Sequence, residues 1–263
     1  MKFAANLSTL FAELPLLARV GAAASLGFEG VEIWFPYEVD AKVLRAELAR
    51  REVQCVTMNT QPGNVDRGDW GLAVDATRRA EFLASVEIAA AYAAEIGCPR
   101  IHAMSGSVPQ DVTREASWEV FARNIDDACV IAARHGLSLM IEPLNEIDRP
   151  NFLLTRQAQA IALIEQLGRD NLKIMLDLFH LQRGEGNLIE RMRQSLPHAA
   201  HVQIADVPGR HEPGSGEINF ATVFRALKQL GWMGWIGCEY FPSDGTLASF
   251  GWMEAHGIEL RAR

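Results

Sequence analysis

Four side chains with oxygen donors recur at matched places in the sequence. Glu142, Asp177, Gln203 and Glu239 each lie at the C-terminal end of a short apolar run, near residues 138–141, 172–176, 200–204 and 235–238. Two glutamates, one aspartate and one glutamine form an all-oxygen donor set. Such hard donors suit Mg2+ or Mn2+ better than Zn2+ or Cu2+. The sequence has no HExxH and no His-rich set of the zinc type. A salt-bridged acidic cluster without a metal is the plain alternative. Yet the three carboxylates, brought into one place, repel strongly unless a cation compensates them. Earlier runs end in Asn6, Glu32 with Trp34, Asn59 and His102, while His180 follows three residues after Asp177 and Asp206 three after Gln203. One such position carries little weight, since every strand leaving a core must reach polar residues. The joint placement is what points to a site.

Positioning these residues takes a regular scaffold, and one pattern supplies it. An amphipathic Ala/Leu-rich stretch ends in glycine, and a short apolar run follows: Gly27, Gly97, Gly136, Gly168 and Gly231 all stand at such junctions. Glycine just past a helix adopts the left-handed conformation without a Cβ clash. The apolar runs read as strands buried on both faces, as in a parallel sheet. Strands are expected near 3–5, 30–33, 54–58, 100–103, 138–141, 172–176, 200–204 and 235–238. Helices are expected near 13–26, 40–51, 77–96, 114–135, 155–167, 186–195, 219–230 and 245–259, with caps at Thr113, Thr155 and Asn219. Eight strand–helix units predict an α/β fold, one (β/α)8 TIM barrel filling residues 1–263 as a single domain. An open doubly wound sheet would want a glycine fingerprint after an early strand, but strand 1 runs into Asn6-Leu7-Ser8-Thr9. The longest loops, near 59–76, 104–113 and 205–218, follow strands, the face where barrels carry active sites.

Composition narrows the function classes. The 263 residues carry 33 acidic and 25 basic side chains, a net charge of −8, and 49% are apolar. That is too apolar for disorder. The acidic balance argues against nucleic acid as a partner. No apolar run approaches the roughly 18–20 residues of a membrane span, so no membrane partner is expected. Asn6, Glu13 and Arg19 interrupt the apolar core that a signal peptide would need, so the start reads as mature protein. Cys55, Cys98, Cys129 and Cys238 form no CxxC and read as small buried side chains in a reducing, cytoplasmic compartment.

Several stretches carry a resemblance. Phe3-Ala4-Ala5-Asn6-Leu7-Ser8, Phe28-Glu29-Gly30-Val31-Glu32, Ile141-Glu142-Pro143-Leu144-Asn145, His201-Val202-Gln203-Ile204-Ala205-Asp206, Pro213-Gly214-Ser215-Gly216-Glu217-Ile218-Asn219 and Gly237-Cys238-Glu239-Tyr240 are similar to the hydroxypyruvate isomerase family. That family belongs to the xylose-isomerase-like barrels, together with ketose 3-epimerases and endonuclease IV. Gln203 is the most specific element, because ketose epimerases commonly place a His ligand there. The resemblance implies a metal-dependent aldose–ketose isomerase acting on a small anionic sugar acid. Glu142 and Glu239 would both hold the metal and shuttle the proton. Asp177 and Gln203 would complete the ligands, and His180 would touch a substrate oxygen. One departure falls in the strand-3 loop, Pro62 to Gly71, where the family's Gly-Asp-Trp is displaced to Gly68-Asp69-Trp70 and its Glu-Arg pair is lost.

Hydroxypyruvate, or a close 2-oxo acid such as 2-oxo-tetronate, is the substrate class this implies, with ketose 3-epimerisation as the alternative. A sugar-binding or DNA-acting barrel is the reading of another class. The nuclease would want a His-rich multi-metal site and a groove for phosphates. An anionic substrate needs a cation for its carboxylate, and Arg210 and its neighbour His211 are candidates. His102 would orient the substrate or pack in the barrel mouth. Asn6 and Glu32 read as supporting residues. Trp34-Phe35-Pro36-Tyr37 would wall the pocket or seal a subunit contact in a homo-oligomer.

Overall fold

A computed structural model describes residues 1–260. Strand β1 (Lys2–Asn6) leads through helix α1 (Leu16–Ser25) to β2 (Gly30–Ile33). The alternation continues with α2 (Ala41–Arg50), β3 (Gln54–Asn59), α3 (Arg79–Ile96), β4 (Arg100–His102), α4 (Arg114–Arg134) and β5 (Ser138–Ile141). It ends with α5 (Gln157–Leu167), β6 (Leu172–Asp177), α6 (Leu178–Gly184), α7 (Leu188–Ser195), β7 (Ala199–Ile204), α8 (Phe220–Gln229), β8 (Trp235–Cys238) and α9 (Gly251–Ala255). The strands pair in chain order and all in parallel, and β8 closes on β1. The expected (β/α)8 barrel is borne out.

The strands are buried on both faces, one turned into the barrel and one under the helices; every residue of β2 is buried. The helices present a single apolar stripe. In α8, Phe220, Val223, Phe224 and Leu227 recur at helical spacing and are buried, while Asn219 caps the start by accepting the Thr222 N–H at 3.0 Å. Thr113 caps α4 in the same way. The five junction glycines all have positive φ, from 59° to 93°. At the barrel's other end, Phe3 meets Trp252 edge-on at 5.7 Å and Trp252 stacks on Phe224 at 5.9 Å, which docks α9 beside β1.

Four boundaries differ from expectation, each for a local reason. Helix α1 starts at Leu16 rather than near 13, because Pro15 disfavours helical backbone in the residue before it. Thr155 does not cap α5; the Gln159 side chain reaches back and accepts from the N–H groups of both Thr155 and Arg156 at 3.0 Å. The segment 245–259 holds only a 3-10 turn at Ala248–Phe250 and the short α9, because Gly245, Gly251 and Gly257 lower helix propensity along it. Helix α6 follows β6 directly, where a loop was expected. A further long loop, 142–156, joins β5 to α5.

Candidate active site

The site residues are set by where the barrel strands end. The β6–β7 ladder shifts register between Ile174 and Met175 and resumes with Asp177 opposite Gln203, while Gln203 pairs in turn with Gly237 of β8. Asp177 ends β6 and caps α6, accepting the Phe179 N–H at 2.8 Å. The helix begun there puts His180 one turn on, its Nε2 at 3.7 Å from Asp177 Oδ2. Glu142 and Glu239 follow the last residues of β5 and β8. Above them lies a cavity of about 470 Å³ whose walls include His102, Glu142, His180, Arg210 and Glu239. Asp177 and Gln203 lie beside it, both buried.

Under the site lies a buried polar layer centred on Glu32. Its Oε2 accepts from Asn6 Nδ2 at 3.0 Å and from Gln203 Nε2 at 2.8 Å, and its Oε1 accepts from His201 Nε2. The bond from Gln203 fixes which end of the amide is free: Gln203 Oε1 is buried with no hydrogen-bond partner. Glu142 Oε1 is likewise buried and unpartnered. Bare buried oxygens are costly unless something electropositive meets them. Glu142 and Asp177 also offer carboxylate oxygens within 4.8 Å of each other and of a His180 ring nitrogen. The donor chemistry therefore fits a hard divalent cation.

The layer depends on a missing side chain. A Cβ on Gly237 would stand 1.6 Å from Glu32 Oε1, and Glu32 cannot yield because three residues hold it. Gly237→Ala is expected to destabilise the fold by about 1–3 kcal/mol, the usual range for overpacking. It should also reduce turnover by freeing the Gln203 amide. Chemical denaturation and a steady-state assay check both.

Electrostatics divide the two glutamates. Glu239 Oε1 accepts from Trp34 Nε1 and, at 3.2 Å, from Asn6 Nδ2, while Oε2 accepts from Arg210 Nη2 at 2.7 Å. Arg210 Nη2 also reaches Asp177 Oδ2 at 3.1 Å, so part of the compensating charge in this acidic cluster comes from the chain itself. Burial still pushes Glu239 up to about 8, against the pull of Arg210, with the charges of Asp177 and Glu32 adding to the rise. Glu142 is driven well above its ordinary value by burial and then by Glu239 and Asp177. Asp177 is raised by burial, against the opposing pull of Arg210 and of hydrogen bonds from the Phe179 and His180 backbone.

Both histidines are neutral. Burial lowers His102 to about 3. Its Nδ1 faces Asn59 Oδ1 at 3.3 Å and Glu142 Oε2 at 3.7 Å, which places the proton there and leaves the lone pair of Nε2 unpartnered. Burial, with Arg210 and Arg149, holds His180 well below the usual histidine range. The Asn145 N–H donates to His180 Nδ1 at 3.2 Å. The His180 proton therefore sits on Nε2, which makes that atom a donor rather than a lone pair for a metal.

The loop after β7 is held from within. Asp206 accepts the N–H groups of Val207, Gly214, Gly216 and Ile218, each at 2.9 Å. It is thus a staple for the loop. Arg210 sits there with φ of 56° and its Nε buried without a partner. His211 turns to the β8 side, with Nδ1 at 2.7 Å from Phe241 O, and does not line the cavity. Sequence reasoning missed His201, although its i, i+2 spacing to Gln203 puts both on one strand face. It also missed Arg149, which lines the cavity from a different loop than the Trp70 of the displaced Gly-Asp-Trp.

A closed parallel barrel with converging carboxylates at its strand ends defines the class. The chain belongs to the xylose isomerase-like TIM barrel family, whose model matches residues 20–256. The 2-oxo-tetronate isomerase of Haemophilus influenzae is 38% identical to it over 255 residues, covering 97% of this chain and 99% of the relative. The hydroxypyruvate isomerase of Escherichia coli K12 is 38% identical over 256 residues, again covering 97% and 99%. With such relatives along nearly its whole length, the protein is an isomerase, and the resemblance to hydroxypyruvate isomerases is borne out. A crystal structure of an AP endonuclease, family 2, from Brucella melitensis matches with a TM-score of 0.93 at 39% identity, covering 97% of this chain and 98% of that one. The E. coli 3-keto-D-glucoside 4-epimerase structure, at a TM-score of 0.79 and 20% identity over 97% and 99% of the two chains, shares the fold.

Proposed function

We propose that this isomerase interconverts hydroxypyruvate and 2-hydroxy-3-oxopropanoate, or acts likewise on a close 2-oxo acid such as 2-oxo-tetronate. The observation that carries the reading is the approach of Glu142 and Glu239 to one cavity from strands three apart in the barrel. The two relatives named above support the substrate class. Glu142, Asp177, Gln203 and Glu239 would hold Mg2+ or Mn2+ through oxygen. When bound, that ion would supply polarisation of the substrate carbonyl and would offset negative charge on the reacting oxygens.

The reaction moves one proton between adjacent carbons. A C3–H bond of hydroxypyruvate breaks, the electron pair passes through an enediolate, and a C2–H bond forms, while the hydroxyl proton goes from O3 to O2. One glutamate removes the carbon proton and the other returns it. Trp34, Asn6 and Arg210 orient the Glu239 carboxylate. His180 Nε2 and Arg210 Nε are free to donate to substrate oxygens, and His102 Nε2 is free to accept from a substrate hydroxyl. The four buried free thiols support a cytoplasmic setting, and the net charge of −8 supports a substrate other than nucleic acid.

The test is a panel of hydroxypyruvate, 2-oxo-tetronate and neutral ketoses, followed by proton NMR in heavy water. Deuterium on the carbon that was the carbonyl, with an aldehyde product from an acid, is expected. Deuterium at C3 of a ketose with its carbonyl retained would instead mark a 3-epimerase.

A further inference from the structure

One cation on the cavity wall has no assigned partner. Arg149 stands in the loop between β5 and α5, and its guanidinium lies 4.0 Å from the centre of the Trp70 ring. Trp70 is itself fixed, edge-on to Trp34 at 6.3 Å and to Phe35 at 6.2 Å. Arg149 makes no ion pair among the described residues. Its neighbour Asp148, also on the wall, is already engaged by Arg183 at 3.1 Å and by Asn145 Nδ2 at 2.9 Å. Arg210 is differently placed, with its Nη2 already shared between Asp177 and Glu239.

We infer that Arg149, laid on Trp70, receives the carboxylate of the substrate and so selects keto acids over neutral ketoses. This rests on the keto-acid isomerase reading above. A guanidinium stacked on an aromatic face keeps its N–H edge free for two parallel hydrogen bonds to a carboxylate. The aromatic floor restricts its motion beforehand, which lowers the entropy lost on binding. Burial and the nearby Arg210 charge work against the positive form of Arg149, Asp148 favours it, and a bound anion would favour it further. The proposal also gives a use to the Gly68-Asp69-Trp70 stretch, whose indole lies under Arg149.

The test compares wild type with Arg149→Met and Arg149→Lys. With hydroxypyruvate, Arg149→Met is expected to raise KM roughly 10–100-fold, the scale of a lost charge-assisted pair. The loss should concentrate in KM rather than kcat, and Arg149→Lys should recover part of it. A second arm needs no turnover: D-glycerate and glycerol are titrated into each Mg2+-containing protein by calorimetry. Glycerate binding should weaken roughly tenfold or more in Arg149→Met, and glycerol should not distinguish the proteins. Absence of glycerate binding by wild type, or a weakening below about threefold in Arg149→Met, overturns the assignment. If wild type turns over neither acid the isomerase reading falls, and the glycerate arm still decides the role of Arg149.

Discussion

Glu239→Gln is expected to lower turnover by roughly 10²–10⁴-fold, the usual contribution of a positioned general acid–base group. The substitution keeps the size of the side chain and removes the proton acceptor. Its surroundings make it a severe change. Trp34 Nε1, Asn6 Nδ2 and Arg210 Nη2 all donate to this carboxylate. An amide offers one acceptor oxygen in place of two, so one of those donors must face an N–H group. Arg210 is also left with one carboxylate instead of two. Steady-state kinetics on hydroxypyruvate, beside a denaturation curve that confirms folding, is the measurement. A near-normal kcat would remove Glu239 from the chemistry.

Chelation is expected to abolish turnover, and added Mg2+ or Mn2+ to restore it. The warrant is in the unpartnered Glu142 Oε1 and Gln203 Oε1, two buried acceptors with no donor among the described residues. Unchanged turnover in protein confirmed as metal-stripped would refute the requirement. The same carboxylates set a pH dependence for the metal-free protein. Glu239 rises from 4.5 to about 8 in the fold, and Glu142 and Asp177 are raised as well. A raised pKa means that the folded state holds the proton more tightly than the unfolded one. The contribution to stability is therefore complete below about pH 4.5 and is lost as pH climbs through about 8. Tm of the metal-free protein should fall over that window, and the rise in Tm on adding Mg2+ should be larger at its upper end, where protons compete least. A flat Tm across the window would contradict this assignment of the burial effect.

The fold was largely legible in the chain. Short apolar runs repeat eight times, five of them after helix-stopping glycines, and periodicity of that kind depends on neighbours a few residues apart. Departures came where one side chain takes over a local cap from another, as Gln159 does in reaching back three and four residues to Arg156 and Thr155. Helix α6 escaped notice because its first turn is capped by Asp177, a residue already read as a strand end.

For the site, sequence alone determined the types and order of the residues: oxygen donors at the ends of four successive strands, and a histidine one turn beyond the second. Position along a strand is enough to know which end of a barrel a residue reaches. What the tertiary structure decided is which atoms remain free. Glu32, from β2, takes the Gln203 amide and leaves its oxygen bare, across 171 positions of sequence. Gly237 makes room for that carboxylate from the opposite edge of the closure. Trp70 and Arg149, from separate loops, become one stacked pair at the mouth. Such pairings depend on barrel closure and strand register, which bring distant residues within hydrogen-bond reach and leave no trace in local spacing.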